Sequence, residues 1–326
     1  MKPGGFVFAA LAALGIAVGL APARDQDAYP SRPIKLIVPF AAGGITDLVA
    51  RLAGEHVKNT TGQTVIVENR PGASGTIGQH AVALSAPDGY TICLVGINTY
   101  AVNPHLFKSL PFDPLKDLPP VAVIAEAPQI MVIHNSVPAK TLAEFVTYAK
   151  ANPTKLNYGS AGVGTPNHLG ADQIVRQAGL AIPHVPYRGG GPAVADLVIG
   201  AMQMEVVAVG LVIEHINAGT LRALAAVSPK RLPFLPDLPT TSEAGVQTYD
   251  TANWFGIAAP AQTPKPVVDR LNRILSSMAD EPEIRRRIMG AYMVPMSMTV
   301  DELMVSLKAD APKWEKIIKD AGIVPE

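Results

Sequence analysis

The sequence predicts an α/β protein, and three observations carry that prediction. Short apolar runs of β type alternate with amphipathic helical segments along the chain. Glycine-rich turns stand where strands give way to helices. One such unit recurs in both halves: Gly44-x-Thr46, a helix, a strand and Arg70-Pro71-Gly72, then Gly164-Thr165, a helix, a strand and Arg188-Gly189-Gly190-Gly191-Pro192. The Thr-to-Arg spacing is 24 positions in the first (46 to 70) and 23 in the second (165 to 188). With 326 residues there is room for two ordinary domains, and similar units in both halves suit two that face each other.

The N-terminus precedes this alternation. "MKPGGFVFAALAALGIAVGLAPARDQDAYP" has an early lysine, an apolar run from Phe6 to Leu20, and Ala21-Pro22-Ala23. That order predicts a signal peptide over residues 1–23, cleaved after Ala23, and hence export. The run is shorter than the roughly 20 residues a bilayer span needs. The single cysteine, Cys93, is remote from the cleavage point and reads as a buried thiol within "YTICLVG".

Ile34 to Phe40 reads as a buried strand. Asp47 to Lys58 follows as a helix, with Leu48, Leu52, Ala53 and Val57 on one face and Arg51, Glu55 and Lys58 on the other. Thr64–Asn69 and Tyr90–Gly96 are further strands, and "VAVIAEAPQIMVIH" is one long β-type stretch. Thr141 caps a helix to Ala151, with Glu144 completing a capping box. Strand, helix and strand recur through "KLNYGS", "NHLGADQIVRQAG" and "IPHVPY", and β signal returns in "MEVVAVG" and "LRALAAVS". Proline-rich Leu232 to Gly245 is a surface connector. "WFGIAAPAQTPKP" returns to a strand, and Pro266–Met278 and Val300–Asp320 are helical, with "EPEIRRRIMG" between them. The alternation implies a parallel-type sheet with crossover helices.

Composition excludes several functions. With 27 basic and 27 acidic residues the net charge is zero, which gives no footprint for nucleic acid or an anionic membrane. No Gly-x-Ser-x-Gly elbow, phosphate-binding Gly-x4-Gly-Lys, dinucleotide Gly-x-Gly-x-x-Gly or His-Glu-x-x-His is present. The seven histidines are scattered, so neither a metal nor a cofactor is expected.

What remains is the two glycine loops, Ala41 to Asp47 and Ser160 to Thr165. A helix start carries unpaired N–H groups and about half a positive charge, and glycine lets a ligand approach that backbone. Such turns hold carboxylates without a cationic side chain. The plain alternative is that both are tight connections, with Thr46 or Asp47 capping a helix. Asp47 would repel an anion, so its expected role is to tie the loop.

These stretches also carry a resemblance. "YPSRPIKLIVPFAAGGITDLVARL", "VIVENRPGASGTIG", "APDGYT", "LNYGSAGVGTPNHL", "HVPYRGGGPAVADLVIG" and "PTTSEAG" resemble the Bug-type (TctC-like) extracytoplasmic solute receptors of the tripartite tricarboxylate transporter family. The resemblance covers nearly all of the chain from Tyr29 on. It implies a periplasmic two-domain Venus-flytrap fold, type II-like, with two crossing hinge strands near Val121–Pro128 and Trp254–Pro260. The implied domains are 29–125 plus 256–326, and 126–255. It further implies a monomer that binds a small carboxylate, closes on it and delivers it to membrane transporter subunits.

Carried over by position, the implied ligand residues are Phe40, Ala41, Gly43, Gly44, Thr46 and Asp47 on the first loop, with Asn98 and Thr99 in "GINT". Ser160, Gly164, Thr165 and His168 fall on the second, followed by Tyr187, Arg188 and Gly189. Many relatives have a polar pair after the strand near "MEVVAVG", where this chain has Val206 to Leu211. If Val209 and Gly210 line the cleft, its far wall is apolar. A ligand with a carboxylate end and an aromatic or medium-chain body is then expected over a citrate-like polyanion. Two other readings compete: a sensory receptor that hands its ligand to a signalling protein, and an exported hydrolase or isomerase using Ser160, His168 and Asp47.

Overall fold

The computed structural model describes residues 29–323. The expected signal peptide and its cleavage after Ala23 lie outside the described residues.

Two mixed sheets organise the chain. The first is assembled from β1 (Ile34–Val38), β2 (Val65–Asn69), β3 (Thr91–Gly96), β4 (Pro120–Ala127), β10 (Asn253–Ala258) and β11 (Val294–Pro295), in the order β11-β4-β10-β3-β1-β2. The second holds β5 (Gln129–His134), β6 (Tyr158–Ser160), β7 (His184–Pro186), β8 (Met204–Ala208) and β9 (Leu221–Ala226), in the order β7-β6-β8-β5-β9. Each has a parallel trio, β2-β1-β3 and β7-β6-β8. Crossovers α1 (Ile45–Thr61) and α2 (Thr76–Ala83) serve the first trio, and α6 (Pro166–Gln177) and α7 (Gly190–Val198) the second.

The sheets are not purely parallel, contrary to the alternation read from sequence. β10 runs antiparallel to β3 and β4, and β5 runs antiparallel to β8 and β9. The reason is the crossing of the chain. "VAVIAEAPQIMVIH" is two strands, β4 in one sheet and β5 in the other, parted at Pro128, which has no N–H for a ladder. A strand arriving from the neighbouring sheet enters from the end opposite to a crossover-fed strand. Apolar periodicity records burial but not this direction.

Helices cover both faces of each sheet. In the first, α1 and α9 (Lys265–Ser276) share a core with Ile34, Leu36 and Phe255, while α11 (Val300–Asp320) packs Trp314 and Ile317 opposite. In the second, α5 (Leu142–Ala151) and α6 pack with Met131 and Met204, and α7 and α8 (Val209–Asn217) with Ile130, Val132 and Val207. The remaining helices are short α3 (Asn103–Leu106) and α4 (Pro114–Asp117), and α10 (Pro282–Gly290), which joins α9 to β11.

Local signals explain most helix ends. Thr141 Oγ1 accepts from the Glu144 N–H at 3.1 Å, but the Glu144 carboxylate takes the Lys140 N–H instead, so the predicted box at α5 is only half formed. A reciprocal box forms at α11 between Thr299 and Glu302. Gly62 ends α1 with φ 76, a left-handed conformation that glycine adopts without Cβ strain.

Candidate ligand-binding site

The first loop leaves β1 through Pro39 and Phe40 and enters α1 at Gly44, the N-cap, whose neighbourhood has no side-chain cap. Neither Thr46 nor Asp47 is the cap. Asp47 instead reaches back: its carboxylate accepts from the Gly43 N–H (3.2 Å), from Asn69 Nδ2 (3.2 Å) and from Arg51 (2.9 and 3.0 Å). Burial opposes its ionisation, but hydrogen bonds from Arg51, Gly43 and Asn69 outweigh that and hold its carboxyl below the usual range. Asn69 also donates to the Phe40 carbonyl at 3.0 Å, so one amide braces both ends of the turn.

The second loop runs from β6 into α6. Thr165 is a true N-cap, accepting from the His168 N–H and donating to the Gly162 carbonyl at 2.8 Å. Buried Ser160 closes the turn: its Oγ accepts the Gly162 N–H (3.1 Å) and lies 2.7 Å from His184 Nε2. His168 Nδ1 accepts the Gly164 N–H at 3.0 Å, which places the neutral imidazole's proton on Nε2. Its ring stacks on His184 with centroids 3.9 Å apart. Burial, then His184 and Arg176, push the pKa of His168 down to about 3, and burial alone pushes His184 to about 4. Ser160 and His168 therefore hold the loop from beneath.

These two loops meet two more helix starts. An inner cavity is walled by Ile45 and Thr46 at the start of α1, and by Thr165, Pro166 and Asn167 at the start of α6. Gly190 at the start of α7, and Ala208 and Leu211 at that of α8, complete this side. Phe40, Asn98 and Ala161 contribute, as do Ala127, Gln129, Asn253 and Phe255 from the crossing strands. None of these residues is ionisable. Asn253 Oδ1 is buried there without a donor, so a ligand hydroxyl or N–H would satisfy it. The cavity volume is about 30 Å³. An outer cavity of about 300 Å³ adjoins it, sharing Phe40 and Ala161 and adding Ser74, Leu106, Val163, Tyr187 and Arg188.

Of the residues expected from sequence, Phe40, Thr46, Asn98 and Thr165 line the inner cavity, and Phe40, Tyr187 and Arg188 the outer one. The others take supporting positions. Thr99 is fully buried and accepts from Gln79 at 2.9 Å. Val209 lies in the α7–α8 core, and a Cβ on Gly210 would overlap the Ala291 carbonyl, so neither walls either cavity. Their neighbours Ala208 and Leu211 do, because the period changes from two to 3.6 where β8 becomes α8. Gln129, Asn167, Asn253 and Gly190 escaped the sequence reading. Gly190 sits within the quoted "YRGGGP", whose start at a helix was its available signal.

The loops are also closed on each other. The Ala41 N–H donates to the Arg188 carbonyl at 3.0 Å, and Ser74 Oγ donates to the Val163 carbonyl at 2.5 Å. A Cβ on Gly44 would lie 3.5 Å from the Gly191 nitrogen, and one on Gly189 would lie 3.0 Å from that of Ala41. Gly164 (φ 73) seats Leu106 from the first sheet's side, and an added Cβ there would overlap that side chain. At Gly44 that distance is ordinary contact, whereas at Gly189 and Gly164 a side chain would force its neighbour to shift.

Comparison with known proteins agrees with this arrangement. Protein BugT of Bordetella pertussis is 33% identical over 316 residues, covering 96% of this chain and 97% of that protein. Among solved structures, R. palustris Rpa4515 with adipate superposes with TM-score 0.87 at 33% identity, over 91% of this chain and all of that one. The periplasmic binding protein BugD gives TM-score 0.86 at 34% identity, over 91% of this chain and 100% of that one. MatC from Rhodopseudomonas palustris with bound malate gives 0.83 at 31%, over 89% and 100%. These neighbours share the α/β periplasmic binding protein fold. Residues 49–323 match the model of the family described as "Tripartite tricarboxylate transporter family receptor", and with relatives this similar over most of their length, the chain is a member of that Bug/TctC family of solute-binding receptors.

Proposed function

We propose that this protein captures a small organic acid between its two domains in the periplasm and delivers it to membrane subunits of a tripartite tricarboxylate-type transporter. One observation carries the reading: four helix starts, those of α1, α6, α7 and α8, converge on a cavity without an ionisable side chain. Each brings about half a positive charge and unpaired N–H groups. Like partial charges crowded together repel, and an anion between them turns that repulsion into attraction. The Asp47 carboxylate is already engaged by Arg51, Asn69 and Gly43, so it does not fill this role.

The two solved relatives with adipate and malate support a carboxylate as the anion. Phe255, Ala127, Ala208 and Leu211 in the wall favour a ligand with an apolar portion and disfavour a polyanion. The domains are taken to be 29–125 with 256–326, and 126–255, turning about β4–β5 and the approach to β10. Closure needs a ligand that binds the closed form better than the open one, which contacts from both loops at once supply. Export rests on the signal peptide read from sequence.

Calorimetric titration of the mature protein with a panel of organic acids tests this. Binding at micromolar strength, about −8 kcal/mol, is expected for at least one carboxylate. Thr46→Leu, which fills the inner cavity from a half-buried position, is expected to abolish that binding with the melting temperature retained. Carboxylate binding that survives Thr46→Leu with equal affinity would sink the site, and citrate outranking aromatic and aliphatic acids would sink the apolar-body reading.

A further inference from the structure

We propose that Gly72–Gly75, the segment between β2 and α2, is a latch that fastens the closed cleft, and that Asn98 sets it according to what fills the inner cavity; this rests on the receptor reading above. The segment is strained. Ala73 (φ 45) and Ser74 (φ 50) are two of three non-glycine residues with positive φ among the described residues, and they stand side by side. A Cβ crowds the backbone in that region, so the conformation persists only where neighbours impose it.

Buried amides impose it. The Ser74 carbonyl accepts from Asn98 Nδ2 at 3.1 Å and from Asn103 Nδ2 at 3.3 Å, while Thr76 Oγ1 donates to the Ala73 carbonyl at 2.7 Å. Asn98 and Asn103 are both buried, and Gln79 ties Asn103 (3.5 Å) to Thr99 (2.9 Å) behind them. Two features make this more than a braced turn. Ser74 Oγ donates to the Val163 carbonyl of the second loop at 2.5 Å, so the strained residue is itself the tie between the two lips of the cleft. Asn98 also walls the inner cavity, and Ser74 the outer one. One amide therefore stands between the place where an acid would sit and the bond that shuts the cleft over it.

When the lips part, Ser74 loses its Val163 acceptor and with it one of the contacts that hold it left-handed. Closing must restore that strain. An acid packed against Asn98 restricts the amide, keeps the Ser74 carbonyl held, and so offsets part of the cost. A filled cavity then favours the closed form through the segment as well as by direct contact, which is the differential affinity that a ligand-driven change requires.

The test is a double-mutant cycle on the mature protein, with unbranched monocarboxylates and α,ω-dicarboxylates of four to eight carbons as probes. Affinities come from calorimetry and release rates from stopped flow. Ser74→Ala removes the tie to Val163 and is expected to weaken binding about two- to tenfold, the net worth of one neutral hydrogen bond, with release accelerated and capture unchanged. Asn98→Ala should weaken binding at least as much. The double variant should bind no worse than Asn98→Ala alone, because both changes act on one bond. Asn103→Ala, whose side chain lines neither cavity, should show the same lack of addition with Ser74→Ala, and it decides the matter where Asn98→Ala does not fold. Losses that multiply in these cycles, or Ser74→Ala binding as tightly as wild type, overturn the latch and leave the receptor reading standing. If no acid of either series binds wild type, the receptor reading fails and takes the inference with it.

Discussion

In the first loop Gly44 starts α1 with no side-chain cap, and the turn is held by the charged Asp47–Arg51 pair with Asn69. In the second, Thr165 caps α6 and every other tie is neutral: Ser160 with His184, and Gly164 with His168. Both deliver a helix start to one cavity, and both keep anionic side chains out of it. The difference teaches that the backbone geometry at the ligand is the shared requirement, while the tether behind it is free to vary. A charged tether is placed where solvent reaches Arg51, whose side chain is 57% exposed. The neutral one is used in the interior, where an ion would lack hydration.

The comparison breaks most visibly at Gly164. Gly164→Ala puts a Cβ at φ 73 and into Leu106, so strain and overlap together should cost closure about 2–3 kcal/mol, roughly a 30- to 150-fold loss of affinity by calorimetry. Adding Leu106→Ala should restore part of it; no restoration would mean that the overlap is irrelevant. Next is the acceptor beneath that residue. His168→Leu leaves the Gly164 N–H without a partner and should lower stability by about 2 kcal/mol, whereas His168→Asn, which keeps an acceptor, should lower it less. Equal losses in denaturant titrations would show that the hydrogen bond contributes nothing.

The pH response separates the two tethers. The unfolded chain protonates His168 near its ordinary 6.5, while the folded chain resists until about 3. Between these values the unfolded state binds more protons, so stability rises with pH by at most about 1.4 kcal/mol per unit and is complete above about 6.5. His184 adds the same sign between about 4 and 6.5. Asp47, with its lowered pKa, contributes stability above its ordinary 3.8 and loses it as pH falls through the lowered value. His168→Asn should therefore flatten the stability curve between pH 3 and 6.5, and Asp47→Asn should alter it only near and below pH 4. The smallest effects belong to the exposed tether. Asp47→Asn at neutral pH should cost about 1 kcal/mol, and Arg51→Ala about 0.5 kcal/mol or less. Arg51→Ala exceeding His168→Leu would reverse the ranking of the two designs.

Much of this was readable from residues. The alternation placed nearly every strand and the helices α1, α5, α6, α9 and α11, because buried faces impose their period, but it did not place α2, α7, α8 or α10. Both glycine loops stood out because few side chains but glycine suit backbone at φ 80 (Gly43) or 73 (Gly164). The convergence of α7 and α8 on the same cavity was not readable, since a helix start is local while its meeting with another is tertiary. The position of the relatives' polar pair pointed to Val209 and Gly210, whereas the turn into α8 at Val209 presents Ala208 and Leu211 instead. Ser160 and His168 were legible as special, but side chains that shape a loop and side chains that touch its ligand have the same composition.

A last consequence follows from Pro128. Just one residue separates β4 from β5, its carbonyl accepts the Val209 N–H at 3.3 Å, and Thr251 beside the return crossing bonds Gln129 at 3.5 Å. Under the closure proposed above, the tight crossing at Pro128 and the return at Thr251 act like the leaves of a door hinge, which permits swing about one line and resists sliding or twisting. Displacement then grows with distance from that line, so points at the rim, such as Ser74 and Val163, should travel farthest. A pair of spectroscopic labels there would register opening with the greatest amplitude, whereas labels beside Gln129 and Asn253 would barely register it.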